Sequence, residues 1–184
     1  MLIIEDGWVD IPTSTGPMRS YIFRPKPDSA DAPPQRYPGV ILYSEIFQMT
    51  GPVKRTACIL AGWGFCVLVP EVYHELLPIG TVLTYTPEDS ATGNKCKKDK
   101  ALASYDDDFA KAVDFLTSYA HCTGAVGAAG MCLGGGLAFR AAAVDPRIKA
   151  AVCWYPTDLH TSGLSSGDDS LARCGEIKAR LLMM

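Results

Sequence analysis

The sequence has no long apolar run. No stretch approaches the ~20 residues needed to cross a bilayer, so a membrane span is not expected. It also lacks a basic excess: 17 Lys and Arg stand against 20 Asp and Glu, for a formal net charge of −3. The electrostatic footprint of a nucleic-acid binder is therefore missing. The start, MLIIEDGWVDIP, carries acids where a signal peptide would carry a basic residue and a long apolar stretch, which predicts a cytoplasmic protein. The seven cysteines, at 58, 66, 96, 122, 132, 153 and 174, form no CxxC pair, and no histidine stands at zinc-ligand spacing from them. Several lie in apolar segments such as FCVLVP and AAVCWYP, where a free cysteine acts as a small hydrophobe. That setting fits a reducing compartment better than a disulfide scaffold. Neither a metal site nor a cofactor is expected. Internal repeats and low-complexity tracts are absent as well.

What is present describes an ordinary soluble domain. At 184 residues, with 48% apolar and 20% charged residues, the chain is long enough to bury a sizeable core as one unit. GWVDIPTSTGPMRSYIFRP predicts a β-hairpin with Gly16-Pro17 near its turn. The proline-rich KPDSADAPPQRYP follows as a spacer, and GVILYSE is a short apolar strand ending at Glu45. TGPVKRTACILAGWG has a helix signature, with Pro52 in its first turn, and FCVLVPEVY reads as a buried strand. Residues 75–100 form a long polar segment of the kind that serves as a lid or binding loop. Leu102, Tyr105, Phe109, Ala112, Val113 and Leu116 recur at helical spacing. Within that helix Asp106, Asp107 and Asp108 point in three directions and are expected to face solvent. A small-residue strand, a helix, the buried strand IKAAVCWYP, a polar loop over 157–175 and a strand in KARLLMM complete the order. Apolar strands alternating with helices predict an α/β fold: a largely parallel sheet with helices on both faces and an antiparallel hairpin at its edge.

The stretch AAGMCLGGGLAF sets Cys132 among Gly130, Gly134, Gly135 and Gly136, between a strand and a helix. Gly-x-Cys-x-Gly in that setting is the pattern of a nucleophile elbow. A sharp backbone turn lifts the nucleophile clear of the sheet in a strained conformation, and side chains two residues either way would collide with neighbouring backbone. At the mouth of a helix, free N–H groups and the dipole favour a thiolate, and the N–H of Leu133 can receive an oxyanion. The plainer reading is close helix–strand packing around an inert cysteine. A P-loop is excluded because Gly-Lys-Ser/Thr is absent, and a dinucleotide fingerprint because the motif follows a late strand.

Taken with GPMRSYIFRP, GVILYSEIF and GFCVLVPEVY, the motif GMCLGGG resembles the dienelactone hydrolases, cysteine-nucleophile members of the α/β-hydrolase fold. The resemblance covers nearly the whole chain. It implies that Cys132 attacks an ester or lactone carbonyl to form an acyl-enzyme. It further implies that Glu45 interacts with the resting thiol and that the N–H groups of Ile46 and Leu133 form the oxyanion hole. The expected partner is a small-molecule ester or lactone, and the oligomeric state stays open.

Two departures from that family qualify the expectation. Where members acting on dienelactone place an arginine shortly after PxxY, this chain reads PEVYHE. Tyr73, His74 and Glu75 thus become the candidate substrate-binding residues, and an acid there disfavours a carboxylate substrate. The family also places its acid after the next-to-last core strand and its histidine after the last. KARLLMM counts as that next-to-last strand, so residues 1–184 are expected to form a single domain lacking the last strand and helix. LLMM is expected to be a buried strand that, with no following helix, leaves one sheet edge and apolar surface uncovered. Asp158 and His160 lie near each other but one strand too early to rebuild a triad. Turnover is then expected to be weak, the alternative being a non-catalytic homologue that binds a small ligand or a partner chain.

Overall fold

Among the described residues six strand pairings hold the sheet, four of them parallel, and its strands stand in the order Ile4–Thr13, Gly16–Pro25, Cys66–Pro70, Tyr37–Tyr43, Cys122–Met131, Ile148–Trp154 and Arg180–Met183. The computed structural model describes residues 4–26 and 35–184. β1 (Ile4–Thr13) and β2 (Gly16–Pro25) form the hairpin, and β2 pairs antiparallel with β4 (Cys66–Pro70). β3 (Tyr37–Tyr43), β5 (Cys122–Met131), β6 (Ile148–Trp154) and β7 (Arg180–Met183) run parallel beside it. Most of the proline-rich spacer, residues 27–34, lies outside the described residues.

The alternation of β-strand side chains sorts the core onto two faces. On one, α1 (Gly51–Gly62) packs Val53, Ala57 and Ala61 against Phe23, Leu42 and Val67. On the other, α3 (Leu102–Ser118) and α4 (Leu133–Val144) pack against Ile41, Tyr43, Leu68 and Ala151. α4 buries every residue from Leu133 to Ala143, and its first glycines let it lie close against the ends of β3 and β6. No helix among the described residues is long and apolar enough to cross a membrane.

Three expectations are corrected. The polar segment over residues 75–100 is not a loop throughout: Pro87–Asp99 is a helix, α2. Thr86 caps it by accepting from Asp89 N, Pro87 opens it, acids stand in its first turn and lysines in its last. Its buried residues are Gly93, Cys96 and Lys97, so no apolar stripe announces it. The aspartate run does point in three directions, yet it is not a solvated face. Asp106 makes a paired contact with Arg140, Asp107 accepts from Ser14 N, and Asp108 is buried beside His74 and Lys100. Finally, the apolar surface expected to lie uncovered at LLMM does so, but the strand itself is exposed rather than buried: Leu182 is 52% accessible and Met184 66%. β7 is a sheet edge, and the α1 side of β5, β6 and β7 is an open apolar groove of about 470 Å³ lined by Trp63, Ala129, Val152, Trp154 and Leu182. Neither Cys132 nor Glu45 lines that groove.

Candidate active site

Among the described residues, five that are not glycine adopt a left-handed φ: Gln48, Cys132, Tyr155, Asp158 and Ser162. All five lie in segments that follow the C-terminal ends of the parallel strands β3, β5 and β6. In open α/β sheets that edge is where ligands bind, and held strain is commonest at functional sites.

Cys132 is the one residue between β5 and α4, at φ 57°, ψ −120°. Its neighbours show what the glycines are for. A Cβ on Gly130 would stand 2.1 Å from Gly134 O, and one on Gly134 would stand 2.2 Å from Tyr43 O. One on Gly135 would stand 2.8 Å from Trp154 O, whereas Gly136 has only an ordinary contact at 3.4 Å. The turn is therefore wedged between the ends of β3 and β6. Cys132 N donates to Trp154 O at 3.1 Å, and Thr157 N donates back to Cys132 O at 3.3 Å.

At the start of α4 the N–H of Leu133 has no acceptor among the described residues, and neither has the N–H of Ile46 in the turn after β3. Gly134 against the carbonyls of Tyr43 and Ser44 brings the two backbone segments together. The Cys132 thiol lies 4.0 Å from Thr157 Oγ1. Glu45 is half-buried and its carboxylate does not bond the thiol. It accepts long hydrogen bonds, each 3.4 Å, from the phenols of Tyr85 and Tyr155. Partial burial, then the nearby Glu45 and Cys132, push the Tyr155 phenol above its ordinary value, and its bond to Glu45 sets the two side chains at one mouth. Backbone bonds also tie Tyr155 to the end of the chain, its N donating to Met184 O at 2.7 Å.

The side chains of Tyr73, His74 and Glu75 turn inward. Tyr73 is fully buried and donates to Gly93 O at 3.1 Å. The His74 side chain is fully buried, with Nε2 3.1 Å from Asp108 Oδ1 and no partner for Nδ1 among the described residues. Glu75 meets Lys100 Nζ at 3.1 Å and accepts from Ser104 Oγ at 2.9 Å, and Lys100 also lies 2.9 Å from Asp108. Burial alone would raise the Glu75 carboxyl, but bonds from Thr15, Lys100 and Ser104 with the Lys100 charge hold it below its ordinary value.

None of the three histidines bonds the thiol. His121 precedes β5 while Cys132 follows it, a separation of roughly 30 Å along a ten-residue strand. Asp158 is engaged by Lys97 rather than by His160, which is exposed in a short 3-10 turn. Tyr85, Tyr155 and Thr157 are the residues that sequence reasoning missed. Their roles depend on partners 40, 110 and 25 positions away. Among the other thiols, burial pushes Cys66 up to about 12 and Cys153 up to about 11.

The profile of the dienelactone hydrolase family matches residues 18–181. A Saccharomyces cerevisiae protein named "Putative carboxymethylenebutenolidase" is 42% identical over 176 residues, covering 94% of this chain and 63% of its own length. A Yersinia pestis protein of the same name is 29% identical over 154 residues, covering 83% of this chain and 54% of its own. The chain thus spans less than two thirds of the length of these curated relatives. The solved structure named "m3DLH" matches with a TM-score of 0.70 at 18% identity, over 98% of this chain and 68% of that one, a likeness of fold.

Proposed function

The chain belongs to the dienelactone hydrolase family, and from that premise we propose a site for carboxylic esters or lactones with Cys132 as nucleophile. The observation that carries this reading is the left-handed Cys132 on a turn walled by backbone, beside two N–H groups without acceptors. The thiol gives its proton to solvent, and the thiolate sulfur forms a bond to the carbonyl carbon. The carbonyl π pair moves onto oxygen, where the N–H groups of Leu133 and Ile46 receive it. Collapse breaks the bond to the leaving oxygen, which departs with its electron pair and takes a proton from water. In a lactone the same step opens the ring. Water then cleaves the thioester, returning the acid and the thiol.

Glu45, in this reading, stays at the mouth on Tyr85 and Tyr155, which keep its carboxylate off the sulfur during attack. The preferred substrate is uncharged, because Glu45 would repel a carboxylate. Tyr73, His74 and Glu75 serve as the wall behind the site, with the Glu75 charge balanced internally by Lys100.

No histidine is placed to carry the proton, so acylation is expected to outrun deacylation. The same observation favours a second reading, binding of a small ligand without turnover. Release of 4-nitrophenolate from 4-nitrophenyl acetate separates them. The nucleophile reading requires a burst of about one equivalent that disappears in Cys132→Ala. A burst unchanged in that variant would sink the assignment. No burst, with saturable binding, would favour the ligand-binding reading.

A further inference from the structure

Gly93 lies in the middle of α2, a place where alanine is the better helix former. Its φ is not left-handed, so the backbone does not require glycine. The surroundings do. A Cβ built on Gly93 would stand 2.7 Å from Ile46 O, 3.0 Å from Ile46 Cβ and 3.3 Å from Ile46 C. All three nearest atoms belong to one residue, the same one whose N–H has no acceptor among the described residues.

The same helix and its approach grip the turn after β3 at further points. Tyr73, fully buried, donates its hydroxyl to Gly93 O at 3.1 Å and its backbone N to Gln48 Oε1 at 3.3 Å. Leu83 N donates to Phe47 O at 3.1 Å, and Gln48 Nε2 donates to Thr81 O at 3.2 Å. The Phe47 and Tyr85 rings meet with centroids 4.6 Å apart. Gln48 is itself held at φ 64°. Residues 73–93 thus form a bracket whose contacts converge on Ile46–Gln48.

We infer that Gly93 is a positioning residue: its missing side chain lets α2 seat directly on Ile46 and so fixes the direction of the Ile46 N–H. An added methyl group would push the Ile46 carbonyl away, and the accompanying rotation about Glu45 ψ and Ile46 φ would swing the N–H off the oxyanion position. Tyr73 holds the helix at that seat from behind. The inference rests on the reading of Ile46 as an oxyanion donor and of Cys132 as the nucleophile.

Two reagents for the same sulfur provide the test. Acylation by 4-nitrophenyl acetate builds an oxyanion, whereas alkylation by iodoacetamide displaces iodide at a saturated carbon and builds none. Both rates are followed at the Cys132 peptide by mass spectrometry, so that labelling of Cys58 and Cys174 does not intrude. Gly93→Ala is expected to slow acylation about tenfold or more while alkylation stays within about twofold. Tyr73→Phe is expected to lower the same ratio by a smaller factor, and it decides the matter if Gly93→Ala does not fold. Asn94→Ala, exposed on the same helix, should leave the ratio unchanged. If both rates fall together, or the ratio is unchanged in the two bracket variants, Gly93 does not position the donor. A Cys132→Ala protein that still releases one equivalent of nitrophenolate instead removes the nucleophile reading, which is a separate failure.

Discussion

The Cys132 turn and the β7 edge are both built on β6, and they are opposite kinds of structure. At the turn, Trp154 O and the carbonyls of Tyr43 and Ser44 press so closely that Gly134 and Gly135 have no space for a methyl group. At the edge, Arg180–Met183 pair with β6 on one side only, and all four residues are exposed. The turn carries a strained backbone that its surroundings over-determine, whereas the edge carries relaxed backbone that little constrains. Substitutions should therefore have large, geometry-specific effects at the first region and small ones at the second.

The contrast is most directly broken at Gly134. Gly134→Ala should lose more than about 4 kcal/mol in urea unfolding, because two backbone carbonyls must move. A loss below about 1 kcal/mol would show that the turn yields. Next comes the anchor of α4. Arg140 is 2% exposed and bonds Asp106, Asp169 and Ser170, so Arg140→Ala should cost about 3 kcal/mol by leaving the carboxylates without their cation. Acid should act more gently on the same side of the sheet. Glu75 is held below its ordinary value despite its burial, by Thr15, Lys100 and Ser104, and Asp107 by Ser14. Groups lowered on folding contribute stability that is complete above the unfolded carboxyl range of about 4 and is lost as pH falls through the lower folded values. Thermal unfolding should thus show a falling midpoint below about pH 4, and Glu75→Gln should flatten that dependence. Cys132→Gly should gain roughly 1 kcal/mol by relieving the left-handed strain, at the expense of all thiol chemistry. Leu182→Lys on the open edge should change stability by less than about 0.5 kcal/mol.

Legibility in the sequence followed how locally each feature is determined. The hairpin, the apolar strands and the amphipathic α3 are written in short-range periodicity, and they lie where that periodicity puts them. The glycine pattern around Cys132 was readable because an elbow needs glycine at fixed offsets. α2 escaped because its buried face consists of a glycine, a cysteine and a lysine, although Thr86-Pro87-Glu88-Asp89 was a usable start signal. The aspartates of α3 were misread because their cations come from other elements: Arg140 from α4 and Lys100 from the junction after α2. The uncovered apolar surface at LLMM was legible from the count of strands and not from composition, since an apolar strand looks the same whether or not a layer covers it.

The walls of the elbow have a consequence for the chemistry it can host. The contacts that shape the turn at Gly130, Gly134 and Gly135 come almost wholly from backbone atoms, with Pro156 Cβ added at Gly135, and among the described residues the thiol's hydrogen-bond partner is Thr157. Shape and reactivity are therefore separable here. The seat is indifferent to which small atom occupies it, so a hydroxyl in place of the sulfur would inherit the same posture and the same two N–H groups. Cysteine at this position is a chemical choice made within a mechanical mount, and the two can change independently.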